Sequence, residues 1–173
     1  IPELSPGQNW TGWLTGKVAD PRKWDNEHPY LYTMKIELGN ADVTTEQIEK
    51  RFGFREVEVQ GNRLLVNGKP VKLRGICRHE AHPLTGRVMT PELERKDVEL
   101  YRAANCNFIR TSHYPPCEEL LEICDELGMF VEVEAPVCWI GHHANENWKV
   151  LDYQDSTYYP YVLQANMETI HFY

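Results

Sequence analysis

The sequence predicts an α/β fold in which part of an antiparallel β-sandwich precedes the first three βα units of a (β/α)8 barrel. Three features predict it. Up to about residue 60, apolar residues alternate with polar ones at period two. Beyond Val71 the order becomes strand, helix, strand, helix, strand, helix, and proline and glycine punctuate the helical stretches.

Residues 30–38 open the β part, with Met34, Ile36 and Leu38 alternating against Thr33, Lys35 and Glu37, as suits a strand covered on one face. Gly39-Asn40 supplies a turn. Residues 43–53 continue as a mixed polar segment, and 55–59 alternate again before turns at Gly61-Asn62 and Asn67-Gly68. Residues 73–77 form the first strand of the repeating part. The helix after it starts at Pro91 behind a Thr90 cap and carries Leu93, Leu100, Tyr101 and Ala104 at helical spacing as far as Asn105. The next strand covers 107–110. A second helix has Pro116 in its first turn, is expected to bury Leu120, Leu121, Cys124 and Leu127 beneath a polar face of Glu118, Glu119, Glu122 and Asp125, and stops at Gly128. Residues 129–133 are the third strand. Glu134-Ala-Pro136 opens a connection of about twenty residues, longer than most and for that reason expected to be functional. A third helix spans 157–171. Three units fall short of the roughly eight that close a barrel, and the strands before them fall short of the roughly seven of a full sandwich. A segment of a larger protein is expected, with residues 1–60 in the sandwich and 61–173 in the barrel.

With 173 residues, 42% of them hydrophobic, the chain can bury a core. Its formal net charge of −8 argues against a phosphate-tracking surface, which needs clustered Lys and Arg, so nucleic acid is not expected as a partner. No apolar run approaches the roughly 18 residues of a membrane span, so no membrane partner is expected either. Cys77, Cys106, Cys117, Cys124 and Cys138 form no Cys-x-x-Cys pair and are odd in number, which fits buried free thiols in a reducing compartment better than a disulfide framework or zinc ribbon. Ile1-Pro-Glu-Leu-Ser5 lacks the pattern of a leader, so a cytoplasmic or periplasmic location is expected, and the absent initiator methionine points to sequence upstream. Asn9-Trp-Thr11 is a glycosylation sequon short enough to arise by chance.

The chemistry concentrates where strands end. Arg78-His-Glu-Ala-His82 follows the first barrel strand, and Arg110-Thr-Ser-His-Tyr-Pro115 belongs to the end of the second. Adjacent strand ends thus deliver His79 and His113 to one rim, the edge at which barrel enzymes gather their reacting groups. Each imidazole can donate and accept across a groove. The plainer reading is that each caps a strand end.

Arg74-Gly-Ile-Cys-Arg-His-Glu80, Arg110-Thr-Ser-His-Tyr-Pro115 and Gly128-Met-Phe-Val-Glu-Val-Glu-Ala-Pro136 resemble glycoside hydrolase family 2 in order and spacing. Pro29-Tyr-Leu-Tyr32, Arg51-Phe-Gly-Phe-Arg55 and Leu65-Val-Asn-Gly-Lys-Pro70 resemble that family's passage from an immunoglobulin-like sandwich into its catalytic TIM barrel. The resemblance implies a retaining enzyme of the β-galactosidase, β-glucuronidase or β-mannosidase kind, with a carbohydrate substrate and two catalytic glutamates. The acid/base follows the fourth barrel strand in an Asn-Glu pair, and the nucleophile follows the seventh. Asn26-Glu27 and Asn145-Glu146 lack the strand that should precede such a pair. Both catalytic glutamates are therefore expected beyond Tyr173, and the isolated chain is expected to be inactive. The parent could be a homo-oligomer.

The same resemblance implies that His79 and His113 hydrogen-bond sugar hydroxyls, and that Arg110 lies beneath the nucleophile and keeps it ionised. With that partner missing, Arg110 should be solvated or paired elsewhere. Trp139 would stack on a sugar or simply pack, and Glu80 and Glu134 would hold their neighbours. Glu132 stays open between a solvent-facing and a barrel-lining role. Cys138 and Ile140 stand where the galactosidase branch has magnesium ligands, and Val133 replaces its aspartate, so no metal or cofactor is expected and the sugar stays open. Two other readings remain. His79-x-x-His82 with Glu80 and His113 is rich enough in ligands for a zinc-dependent hydrolase, while a noncatalytic carbohydrate-binding module would explain the histidines and tryptophans but not the motif order. His142 and His143, beside Asn145 and Asn147, read as a hydrated loop.

Overall fold

A computed structural model of the chain describes residues 2–40, 42–136 and 159–172. Its strands fall into three sheets. The first pairs β1 (Tyr32–Gly39) antiparallel with β2 (Thr44–Phe52), Tyr32 opposite Phe52 and Ile36 opposite Ile48. The segment that looked merely mixed and polar is thus a full strand, because pairing with β1 satisfies its backbone whatever its own alternation. Next come β3 (Val57–Gln60), β4 (Arg63–Val66) and β5 (Lys69–Pro70) as an antiparallel meander, turned where Gly61, Asn67 and Gly68 adopt positive φ. The division expected near residue 60 falls inside this meander.

The third sheet is parallel. Its strands β6 (Gly75–Arg78), β7 (Phe108–Thr111) and β8 (Phe130–Glu132) lie in chain order, with α1 (Pro91–Ala103) and α2 (Glu118–Leu127) between them in sequence. Cys77, Arg110 and Glu132 stand side by side in register, as do Ile76, Ile109 and Val131. Residues in register share a face, and successive residues alternate. Ile76, Ile109 and Val131 accordingly turn toward the helices and pack with Val98, Leu120, Ile123, Cys124 and Met129. Cys77, Arg110 and Glu132 turn the other way. Gly75 has no alternative at its position: a Cβ there would lie 1.8 Å from the Phe108 carbonyl oxygen.

Thr90 caps α1, its Oγ1 accepting the Leu93 N–H at 3.4 Å, and Pro91 opens the helix. The buried face differs from expectation: Glu94 and Val98 are inside, whereas Leu100 is 53% exposed and Ala104 also faces outward. The cause is Arg78, on the helix side of β6, whose guanidinium draws Glu94 and Asp97 inward. In α2 the buried residues are Leu120, Ile123 and Cys124, with Leu121 and Leu127 only partly covered. Asp125, assigned to the polar face, is half-buried instead. Gly128 ends the helix at φ 76°, where a Cβ would meet the Asn26 carbonyl oxygen at 2.3 Å. Helix α3 (Tyr159–Phe172) corresponds to the third predicted helix. The connection leading to it, with Cys138, Trp139, Ile140, His142, His143, Asn145 and Asn147, lies outside the described residues.

Trp24, only 1% exposed, ties the β-rich part to the parallel sheet. Its indole N–H donates to the Asp125 carbonyl at 2.8 Å, its ring meets Phe130 edge-on at 5.5 Å, and its own carbonyl accepts from the Asn67 amide at 3.0 Å. On the surface, β2 reaches α2 through Lys50 with Glu118 and Glu122 and through Arg51 with Glu126.

Candidate functional site

The face of the parallel sheet turned away from the helices carries the polar groups. His79 follows β6, and its ring lies edge-on to that of His113, which follows β7, with centroids 5.3 Å apart. The two histidines meet at the C-terminal rim. The Ser112–His113 peptide bond is cis. Arg110 points to the same side from β7, its Nη2 lying 3.0 Å and 2.9 Å from the two carboxylate oxygens of Glu134 and its Nη1 3.7 Å from Cys77 Sγ. Arg110 has thus found its charge partner within the chain. Glu134 Oε1 is also 3.4 Å from His113 Nδ1, so one carboxylate joins Arg110 and His113. Thr111 anchors that carboxylate's backbone, its Oγ1 accepting the Glu134 N–H at 3.1 Å and donating to the Glu132 carbonyl at 3.4 Å.

Glu132 is exposed and shares the face of Arg110. Cys77, expected to be buried, is exposed on that face as well, while burial pushes the Cys117 thiol up to about 11 and that of Cys124 to about 12. Farther along the rim, Arg87 sits 5.4 Å above the Tyr114 ring and donates to its hydroxyl at 3.3 Å. His82 pairs with its own loop: its backbone bonds Gly86 and its Nδ1 lies 3.2 Å from Thr85 Oγ1. Trp139 falls outside the described residues.

Behind the rim lies a second polar cluster that the motifs alone did not reveal. Arg78, 5% exposed, holds Glu94 at 2.5 Å and Asp97 at 3.0 Å, and Cys117 Sγ lies 3.6 Å from Glu94. Burial, reinforced by Glu80 and Asp97 against the opposing pull of Arg78, holds the Glu94 carboxyl above its ordinary range. The spacing of Glu94, Asp97 and Tyr101 along one helical face, opposite an arginine at a core-facing strand position, was the available signal. Glu80, Glu94 and Cys117 are the only three residues, among those described, whose potential metal-ligating atoms gather within 4.8 Å. No histidine belongs to that group, so the zinc set built on His79, His82, Glu80 and His113 is not assembled.

The arrangement offers two imidazoles, a guanidinium and a carboxylate along one open polar face, groups suited to binding hydroxyls and steadying negative charge. Residues 57–172 match the family model described as glycosyl hydrolases family 2, TIM barrel domain, and residues 3–55 match glycosyl hydrolases family 2. The chain is 44% identical over 126 residues to a β-galactosidase of Aeromonas hydrophila, covering 71% of this chain and 12% of the relative. It is 40% identical over 121 residues to a β-galactosidase of Pseudoalteromonas haloplanktis, covering 69% of this chain and 12% of the relative. A β-glucuronidase of Ruminococcus gnavus, solved in complex with a C6-substituted uronic isofagomine, superposes with a TM-score of 0.65 at 34% identity, over 69% of this chain and 20% of that one. The chain therefore spans between an eighth and a fifth of the length of these proteins.

Proposed function

The chain belongs to glycosyl hydrolase family 2, and from that premise we propose that it is the sandwich-to-barrel segment of a retaining enzyme that cleaves terminal β-glycosides. The observation that carries the reading is the meeting of His79 and His113, 5.3 Å apart, beside the Arg110–Glu134 pair at the ends of adjacent parallel strands. In this reading the two imidazoles bind sugar hydroxyls, and Arg110 lends positive charge to the region where an attacking carboxylate becomes seated. Retention needs two carboxyl groups roughly 5 to 5.5 Å apart, one protonating the leaving oxygen and the other attacking the anomeric carbon to give a covalent glycosyl-enzyme. We place both beyond Tyr173, so the isolated chain binds without turning over. Residues 1–60 belong to the sandwich and 61–173 to the barrel in the same reading, and the sugar is a galactoside, glucuronide or related β-glycoside.

The test is to express the parent protein and assay it on p-nitrophenyl β-galactoside and β-glucuronide, following the configuration of the first sugar released by proton NMR. Release of the β-anomer, with His79→Ala and His113→Ala each lowering kcat/KM by about 100-fold, is the expected result. Release of the α-anomer, or no hydrolysis of any β-glycoside, would remove the proposal.

A further inference from the structure

Arg78, Arg87 and Arg110 all stand at or near the strand-end rim, but their partners differ. Arg78 is held by Glu94 and Asp97 and Arg110 by Glu134, whereas Arg87, exposed in the loop after β6, has Tyr114 and, among the described residues, no carboxylate. Acidic residues outnumber basic ones by 26 to 18, so a carboxylate was not scarce. The pair also comes from the two loops that carry the rim histidines: Tyr114 follows His113, and Arg87 lies in the loop that His79 opens. That loop is tied in place. His82 and Gly86 exchange backbone hydrogen bonds at 2.7 and 2.9 Å, Gly86 turns at φ 66°, and Thr85 Oγ1 donates to the Val88 carbonyl at 2.7 Å. Arg87 therefore leaves a fixed backbone, and the phenol steadies its guanidinium. Of the five N–H donors of a guanidinium, the Tyr114 hydroxyl accepts one. The rest form a fork that matches a carboxylate, and the phenol has its own O–H to donate beside it.

We propose that Arg87 and Tyr114 form a specificity element of the rim that takes a carboxylate carried by the substrate, so that the enzyme favours acidic saccharides over neutral ones. The saccharide rests on the glycosidase reading, but the preference for an anion does not. Donors already held in place bind at a smaller entropic cost than a loose surface arginine would. A mere clasp between two loops would use the same hydrogen bond without discriminating among substrates by charge.

Kinetics of the parent protein read the preference. The p-nitrophenyl β-galactoside and β-glucoside are each compared with the uronide, which differs only in a carboxylate at C6, and with the 4-carboxyphenyl glycoside, which carries the charge on the leaving group. Arg87→Ala should lower kcat/KM about tenfold more for one of the two acidic substrates than for the neutral one. Arg87→Lys should restore part of that difference, and raised salt should shrink the preference of the unsubstituted enzyme. The acidic substrate that suffers identifies the side of the glycosidic bond that the pair faces. An equal loss on all three, or no loss, overturns the proposal. Binding is read apart from turnover on the 173-residue chain, from the Arg87 Nε–H resonance assigned by its loss in Arg87→Lys. Methyl β-glucuronide should move that resonance and methyl β-glucoside should not, while equal responses to both, or none, overturn the proposal. A parent that hydrolyses no glycoside while the chain keeps this response removes only the glycosidase reading, and a hydrolytic parent without it removes only this inference.

Discussion

Removing Arg78 would leave Glu94, 1% exposed, and Asp97 beside one another with no cation between them. Breaking a buried pair from one side costs far more than the pair contributes, because the remaining charge stays desolvated. Arg78→Met should therefore destabilise the fold by about 3–5 kcal/mol in urea titrations, and pairing it with Glu94→Gln should recover part of that loss. The cluster also sets a pH dependence. Burial raises the Glu94 carboxyl above the ordinary 4.5 of a glutamate, so the folded state holds its proton at pH values where the unfolded chain has released it. A raised group adds stability that is complete below the unfolded value and is lost as pH climbs through the folded one. The stability of the chain relative to its Glu94→Gln variant should accordingly fall as pH rises above 4.5 toward neutrality. A constant difference across that range would show that Arg78 fully offsets the burial.

At the scale of the elements, Trp24 couples two regions that sequence patterns treat separately. Its indole N–H caps the Asp125 carbonyl near the end of α2, and its ring rests on Phe130 of β8. Trp24→Phe keeps most of the packing but strips the partner from a partly buried carbonyl, at a cost of about 1–3 kcal/mol. Trp24→Ala should cost about 3–5 kcal/mol. Thermal unfolding measures both, and equal effects would mean that the hydrogen bond contributes nothing. Trp24 was invisible in the sequence because a lone tryptophan in a loop has no period to read, and its partners are about a hundred positions away. Helix boundaries were legible, since Thr90, Pro91 and Gly128 act locally. So was the placing of His79 and His113, because strand ends in a parallel sheet share a rim. The inward face of α1 was misread: apolar spacing favoured Leu100, but a buried arginine outweighed it by recruiting carboxylates. Glu134 was legible only through the resemblance, which has it holding its neighbours; that those neighbours are Arg110 and His113 depends on a three-dimensional placing that spacing does not encode.

At the scale of the whole molecule, many large apolar side chains among the described residues stand exposed. Met34, Ile36, Leu38 and Ile48 on the β1–β2 ribbon are each 42–44% exposed. A two-stranded ribbon is marginal in water without a covered face, and an apolar patch of this kind favours association. Ion pairs from Lys50 and Arg51 to α2 hold the ribbon from the side, but each is largely exposed and so screened by salt. The chain alone should therefore bind a hydrophobic dye such as ANS, and raised salt should increase that binding as the ribbon loosens. Ile36→Thr together with Ile48→Thr should reduce dye binding at least twofold while leaving the near-ultraviolet signal of Trp24 intact, because Trp24 packs on β8 and not on the ribbon. Dye binding that ignores both salt and the paired substitution would place the exposed apolar surface elsewhere, with α3 as the next candidate through Tyr161, Met167 and Ile170.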